Sequence, residues 1–422
     1  MFKKALVVLA ILSLAALSTS SFAFAGAKKT VSLMIWNAEG WIRGHNELLP
    51  QFERRYPDVK TQLVIGDNQK FLVSIAGGVP PDIYFASYDY FQVYSSERTF
   101  LDVTPYASKD PEFKESDYIE KIIDATKYKG RLYGLPQTYS PILAFYNRSL
   151  FDKEGVEYPS EKWGWDELIS NTKKLTKDLD GDGNMDQFGI THRGGYHRFP
   201  LWIGQNGGRM WTDSEPRRST FDEPKTIEAL QFYIDLVRKY RVAPSLTERA
   251  PGISGVDATQ LFGTGRAAID YTTRYYAPPE GMNWDVSSLW RGPGGWSSIL
   301  IINYYAVTSY TKNPQEAWDL MRFLSYNHKV ELLNKTFRAV PPIKEEAMRL
   351  LTHPGEPPEH DMAFLTEVPK TSVLYYPSKI FKEFNETIDK NLELALRGNI
   401  DVPEAARRMA KDINDALKAR GL

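Results

Sequence analysis

Apolar runs of two kinds alternate at the start of this chain and set the reading of the rest. VSLMIW (31–36) and DIYFAS (82–87) are short and mostly apolar, the form of strands buried on both faces, and VKTQLVI (59–65) lies between them. The segments that separate them, a charged and apolar run to Arg55 and a shorter one around FLVSIAG (71–77), carry apolar residues at helical spacing. The pattern predicts strand, helix, strand, helix, strand in a parallel α/β sheet. Ligands of open α/β sheets bind outside the carboxyl ends of the strands. Those ends carry Trp36, Asn37, Glu39 and Trp41 after the first strand, Asp67 after the second, and Ser87, Tyr88 and Asp89 after the third. The rim is polar, aromatic and acidic.

Further along, Tyr118–Tyr128 has helical character, and two apolar runs, LYGLP and PILAFY, flank Gln137-Thr138-Tyr139-Ser140. If the second run is an extended connection between lobes, Tyr139 and Ser140 sit beside a cleft and Phe145 begins a second lobe. Trp165–Leu179 has acids at its start and lysines toward its end, which suits a helix dipole. Glycines interrupt the apolar pattern of 192–213, which holds Trp202 and Trp211, and Glu223-Pro224 opens a helix that ends near Tyr240. A short helix is expected over Ser254–Gly265, a strand with an aromatic loop in AAIDYTTRYYAP (267–278), and a returning strand in GGWSSILIINYYAVTS (294–309). Helix is expected again over Pro314–Leu333 and in two segments after Tyr376.

A chain of 422 residues exceeds one typical hydrophobic core and points to two domains. Lys and Arg total 52 against 53 Asp and Glu, which gives no long-range attraction to nucleic acid or an anionic membrane. The N-terminus has two lysines, an apolar core from Ala5 to Leu17 and an Ala23-Phe24-Ala25 exit, the three parts of a secretory signal; cleavage after Ala25 is expected. No cysteine occurs, which removes disulfides, thiol chemistry and the cysteine a lipid anchor would need. The mature chain is therefore expected in the periplasm, free of a lipid anchor.

Six stretches in order resemble the extracellular solute-binding proteins, family 1, of ATP-driven sugar importers, the group with maltodextrin-binding proteins. They are GGVPPDIYFAS (77–87), LDVTPY (101–106), GRLYGLPQTYSPILAFYNRSLFDKEGV (130–156), DGDGNMDQFG (180–189), GRAAID (265–270) and NPQEAWDLMRFLS (313–325). The resemblance implies a two-lobed α/β fold of the type II periplasmic binding class, with several hinge crossings, an interlobe sugar site and a surface for membrane permease subunits. By this analogy 27–142 and 303–345 form the N-terminal lobe and 143–302 with 346–422 the C-terminal lobe. It also implies a monomer that carries an oligosaccharide and performs no catalysis.

A sugar offers apolar ring faces and a rim of hydroxyls, so its site needs aromatic platforms and convergent polar groups. Candidate platforms in loop positions are Trp36, Trp41, Tyr139, Trp202, Tyr271, Tyr275 and Trp296, with Tyr88 on the rim; glycines beside Trp202 and Trp296 leave room for close approach. Candidate polar partners are Glu39, Asp67, Asp89 and Arg274, followed by Asn37 and Gln205. Each of these side chains has an ordinary structural alternative, in a core or a surface ion pair. Asp178, Asp180, Asp182, Asn184 and Asp186 alternate as calcium ligands do in a Gly-containing loop, but Gly189 stands where an EF-hand places its bidentate Glu. Such a loop either holds structural calcium with outside ligands or caps a turn, and no other cofactor is implied. An exported glycoside hydrolase is the alternative function, because two carboxylates need only meet in space. The chain has no HExxH pair, no GxSxG elbow and no phosphate loop.

Overall fold

The opening unit forms from β1 (Lys29–Ile35), α1 (Glu39–Arg55), β2 (Val59–Ile65), α2 (Asn68–Ala76) and β3 (Ile83–Ser87) in a computed structural model that describes residues 28–193, 198–212, 217–244, 258–276, 278–326, 339–352, 357–373 and 378–422. The secretory segment lies outside the described residues. β1 runs parallel to β2, from Lys29 opposite Val59 to Ile35 opposite Ile65, and parallel to β3 on its other side. α1 buries Trp41, His45, Leu48, Leu49 and Phe52, an i, i+4, i+7, i+8, i+11 stripe that lies on the sheet. α3 (Phe91–Ser96) follows β3 through a single turn, Tyr88–Tyr90.

β4 (Leu135–Pro141) extends this sheet, and β5 (Leu143–Asn147) starts the other one after Ile142 alone. α4 (Trp165–Leu175), β6 (Phe188–Ile190), α5 (Pro200–Gln205), α6 (Pro224–Arg238), β7 (Ala267–Thr272) and β8 (Trp284–Ser287) follow. β9 (Leu300–Val307) then returns and inserts antiparallel between β3 and β4. The first sheet has the order β2-β1-β3-β9-β4 and the second β8-β5-β7-β6. Each sheet with its helices forms a lobe with its own core. Leu33, Ile35, Phe52, Ile83, Phe85 and Trp318 of α7 (Pro314–Tyr326) mark the first core. Phe145, Ile269, Trp202 and Trp290 mark the second.

After Val340, which pairs with Tyr139, the chain passes through α8 (Lys344–Leu351) to α9 (Phe381–Leu396) and α10 (Val402–Ala419). α10 is capped by Asp401, whose Oδ1 accepts the Glu404 N–H at 2.7 Å, and it buries Val402, Ala405, Ala406, Met409, Ala410, Ile413 and Leu417 against the second core.

Two helices are shorter than their patterns suggest. α4 stops at Leu175, not Leu179, because Lys177 pairs with Gln187 and turns the chain into the acidic loop. The helix expected over 118–128 is limited to Glu120–Asp124, because Lys127–Tyr128 pairs with Arg131–Leu132 as a hairpin. The helix expected over 254–265 is seen as Ala258–Gly263; its first part, and the continuation of α7 to Leu333, lie outside the described residues. Among the described residues no helix is long and apolar enough to cross a membrane.

Among the described residues each lobe buries one histidine. His45 donates from Nδ1 to the Trp41 carbonyl at 2.7 Å and accepts the Tyr305 hydroxyl at Nε2, at 2.8 Å; burial pushes its pKa down to about 4. His192 stacks on Tyr233 at 4.2 Å, has Nε2 at 3.3 Å from the Tyr233 carbonyl, and is also pushed down by burial to about 4.

Candidate functional site

The carboxyl ends of β1, β2, β3 and β4 lie on one edge of the first sheet, and the chain leaves for the second lobe and returns from it at that same edge. β6 and β7 are parallel and end in Thr191-His192-Arg193 and Thr273-Arg274-Tyr275. Side chains of the two sheets meet, Tyr275 just beyond β7 against mid-strand Thr138 of β4 and Asn303 of β9. The Asn303 Nδ2 donates to the Tyr275 hydroxyl at 3.0 Å, and that hydroxyl lies 3.0 Å from the Thr138 Oγ1. Tyr88 is 5% exposed and packs with the second core. Farther out, Tyr90 meets Phe381 edge-on at 5.0 Å, and Lys379 pairs with Glu97 at 3.3 Å. The two lobes therefore meet at Thr138 and Asn303 on one side and at Tyr275 on the other.

The chain's sequence matches the family of bacterial extracellular solute-binding proteins over residues 43–325. It belongs to that family. A galactooligosaccharide-binding protein of Bacillus subtilis is 22% identical over 407 residues, 93% of this chain and 91% of that protein. A binding protein of Brucella abortus is 24% identical over 248 residues, so this chain spans only 56% of that relative, and 56% of this chain is matched. The fold is similar to that of an ABC substrate-binding protein from Listeria monocytogenes in complex with cycloalternan, with a TM-score of 0.80, 24% identity and coverage of 94% of this chain and 100% of that one. The two-lobed architecture is thus common to both.

In this solute-binding protein several candidate side chains stand just beyond strand ends or in loops. Trp36 is half-buried, 4.8 Å from Phe85, while Asn37 and Glu39 are exposed at the start of α1. Asp67 is exposed and caps α2, its Oδ1 accepting the Lys70 N–H at 2.9 Å. Tyr88 and the 7% exposed Asp89 lie in the turn after β3. Trp296 is half-buried; its Nε1 donates to the Leu289 carbonyl at 2.9 Å, and the Lys370 ammonium lies 5.6 Å from its ring centre.

Other candidates serve the cores, which corrects the sequence reading. Trp41, 6% exposed, packs 4.8 Å from Phe85, because helical spacing from the strand end turns it under the sheet. Trp202, 1% exposed, is surrounded by Trp165, Tyr271 and Trp290. Gln205 is fully used within the second lobe: its amide donates to the Trp290 and Ser297 carbonyls at 3.1 and 3.2 Å, and its oxygen accepts the Trp165 Nε1–H at 3.0 Å. Tyr271 is buried in β7 and its hydroxyl accepts the Arg193 N–H at 2.9 Å. Tyr139 is buried in β4 beside Arg274 and Asp361, and burial raises its hydroxyl pKa far above the ordinary value. Arg274 is committed to Asp361, with Nε to Oδ1 at 2.8 Å and Nη2 to Oδ2 at 2.5 Å, in a pair almost closed to solvent. The glycines near Trp202 and Trp296 do permit close approach, but of one loop to another. A Cβ on Gly294 would lie 2.1 Å from the Gly207 nitrogen.

The acidic loop separates into two groups. Asp178, Asp180 and Asp186 place carboxylate oxygens within 4.8 Å of one another. Asp178 accepts the Gly181 and Gly183 N–H groups at 2.7 and 2.8 Å, and Gly183 holds φ 88°, a conformation that favours glycine. Asp182 and Asn184 instead bond to each other, and the Asn184 bonds hold the Asp182 carboxyl below the usual range. Three oxygens suit a calcium ion that takes further ligands from water, while Arg266 at 3.6 Å from Asp186 competes for one of them.

The sequence reading missed Thr138 and Asn303, the partners of Tyr275, and the group Arg193, Arg198 and Asp270. Their signal was present in the two arginines that bracket the Gly-Gly segment after an apolar triplet, FGI. A pocket of ≈ 270 Å³ lies elsewhere on the first lobe, where Arg322 pairs with Asp110 and Glu112.

Proposed function

We propose that this protein captures an oligosaccharide in the interlobe cleft, closes over it by hinge motion and delivers it unchanged to the membrane subunits of an ABC importer. The observation that carries the reading is the meeting of Tyr275 of one lobe with Thr138 and Asn303 of the other, because a ligand in contact with both lobes stabilises the closed form by its differential affinity for it. Trp36, Tyr275 and Trp296 would supply ring faces, and Asn37, Asp67, Asp89, Thr138 and Asn303 hydrogen-bonding partners, which is what sugar chemistry requires. The relative that binds galactooligosaccharide, similar over nearly the whole chain, supports the same cargo class.

In this reading the chain is exported, loses residues 1–25, acts as a periplasmic monomer without a lipid anchor, and divides into lobes at 27–142 with 303–345 and 143–302 with 346–422. Asp178, Asp180 and Asp186 would hold a structural calcium ion that ties the loop between α4 and β6. The ion would offset two of the three carboxylate charges and has no part in sugar recognition.

The test is calorimetric titration of ligand-stripped protein with a panel of oligosaccharides, followed by chromatography of the recovered sugar. One-to-one saturation with intact sugar is expected. Shortened products would indicate a hydrolase, and no heat across the panel would exclude this cargo class.

A further inference from the structure

Away from Tyr275, a second set of contacts joins the lobes. Tyr90 belongs to the single turn after β3 and Phe381 is the first residue of α9; both are half-buried, and their rings meet edge-on at 5.0 Å. Glu97, at the end of α3, pairs at 3.3 Å with Lys379, in the turn Ser378–Ile380 that leads into α9. Each ring is held by its own lobe. Tyr90 stacks on Tyr94 at 5.8 Å, and the Tyr94 hydroxyl donates at 2.5 Å to the Oδ1 of Asn68, the first residue of α2. Phe381 is flanked in sequence by Ile380 and Phe384, both fully buried in the second core, so the helix fixes where its ring emerges. Tyr90 and Asn68 stand just beyond the carboxyl ends of β3 and β2, the edge where open α/β sheets take ligands. Both pairs join segments that carry no crossing between the sheets, so they part when the lobes swing away from each other.

We propose that the two pairs form a latch that stabilises the closed arrangement with or without cargo. Glu97, Lys379 and Phe381 are then positioning residues that raise affinity without touching the ligand; the proposal rests on the hinge closure inferred above. The apparent affinity for a ligand is its intrinsic affinity scaled by the fraction of protein in the binding-competent form. A contact between lobes that the ligand does not share changes that fraction alone. Every cargo must feel it by the same factor, whereas a side chain on the sugar weighs one cargo against another. The latch must also open before cargo leaves, so its effect falls on release more than on capture. The ring pair is the stronger half, because edge-to-face contact adds to area burial while an exposed ion pair is screened by water and salt.

The chain has no cysteine of its own, so cysteines introduced at exposed positions of α1 and α10 carry two dyes, and single-molecule energy transfer reads the closed fraction of the whole, ligand-free protein. Phe381→Ala is expected to lower that fraction about fivefold, and to weaken every oligosaccharide of the panel that binds by the same factor to within about twofold. Glu97→Lys should lower it about twofold, and adding Lys379→Glu should restore it. If Phe381→Ala fails to fold, the exposed charge pair carries the test, read at about 20 mM salt. Closed fraction and affinities both untouched by Phe381→Ala and by the charge reversal overturn the latch. Affinity losses that differ from sugar to sugar overturn it as well, because they put these side chains on the cargo. Energy transfer that responds while every sugar stays silent leaves the latch standing and overturns the cargo class. One fixed distance in every variant, with and without sugar, overturns the latch and the hinge closure together.

Discussion

Burial of His45 and His192 makes stability depend on pH in a window that their environments define. In the unfolded chain each imidazole takes up a proton as the pH falls through 6.5, while in the folded protein each stays neutral down to about 4. Between those values the unfolded state holds the extra proton, so the stabilisation is complete above pH 6.5 and is lost as the pH falls toward 4. At about 1.4 kcal/mol for each pH interval of one, the loss is on the order of 3 kcal/mol per histidine. The perturbations are His45→Gln and His192→Gln, and the assay is urea unfolding followed by tryptophan fluorescence at pH 7.5 and pH 4.5. Each variant should be less stable than the parent at pH 7.5, and the gap should narrow by about 3 kcal/mol at pH 4.5. Because the two histidines lie in different cores, each variant should act on the unfolding of its own lobe. A gap that stays constant with pH would refute the reasoning, since it would mean that the folded imidazole exchanges its proton freely.

Tyr275→Phe removes the hydroxyl between Asn303 and Thr138 and should cost about 1 kcal/mol of the closed form, a roughly fivefold weaker apparent affinity, with a larger radius of gyration in solution scattering; an unchanged profile and affinity would contradict it. Arg274→Ala leaves Asp361 buried without its cation and should lower unfolding stability by about 3–5 kcal/mol, read by denaturant titration; a large loss of ligand affinity with normal stability would return Arg274 to the ligand site. Trp296→Ala should weaken sugar binding by about 1–2 kcal/mol through the lost ring face, read by calorimetry. Millimolar calcium should raise the melting temperature by a few degrees in the parent and not in Asp178→Ala, and the absence of any calcium effect on the parent would leave the loop a capped turn.

The opening unit was legible because buried parallel strands and amphipathic helices write their periods directly into the sequence, as β1 through β3 do. Helix ends were less so: α4 stops where Lys177 finds Gln187, a pairing set by tertiary packing. Site residues divided along the same line. Asn37, Asp67 and Asp89 follow strand ends, a place that strand periodicity predicts directly. Trp41, Trp202 and Tyr271 also follow or end regular elements, but a large ring can turn inward from a loop as easily as outward, and sequence carries no sign of which core awaits it. The pairing of Arg274 with Asp361 joins residues far apart in the chain, and Asn303 was concealed inside an apolar run where it pairs across the sheet.

Among the described residues the chain passes between the two sheets near Ile142, near Ile299 and after Val340, on neighbouring chain segments at one sheet edge. Neighbouring strands are about 5 Å apart, so these anchors define a line roughly 10 Å long. A row of anchors lets the bodies on either side rotate about the line and resists twisting around an axis across it, as the pins of a door do. The relative motion of the lobes is thereby confined close to a single angle. One distance, measured between labels placed far from that line, would then be a sufficient coordinate for the whole opening and closing of the protein.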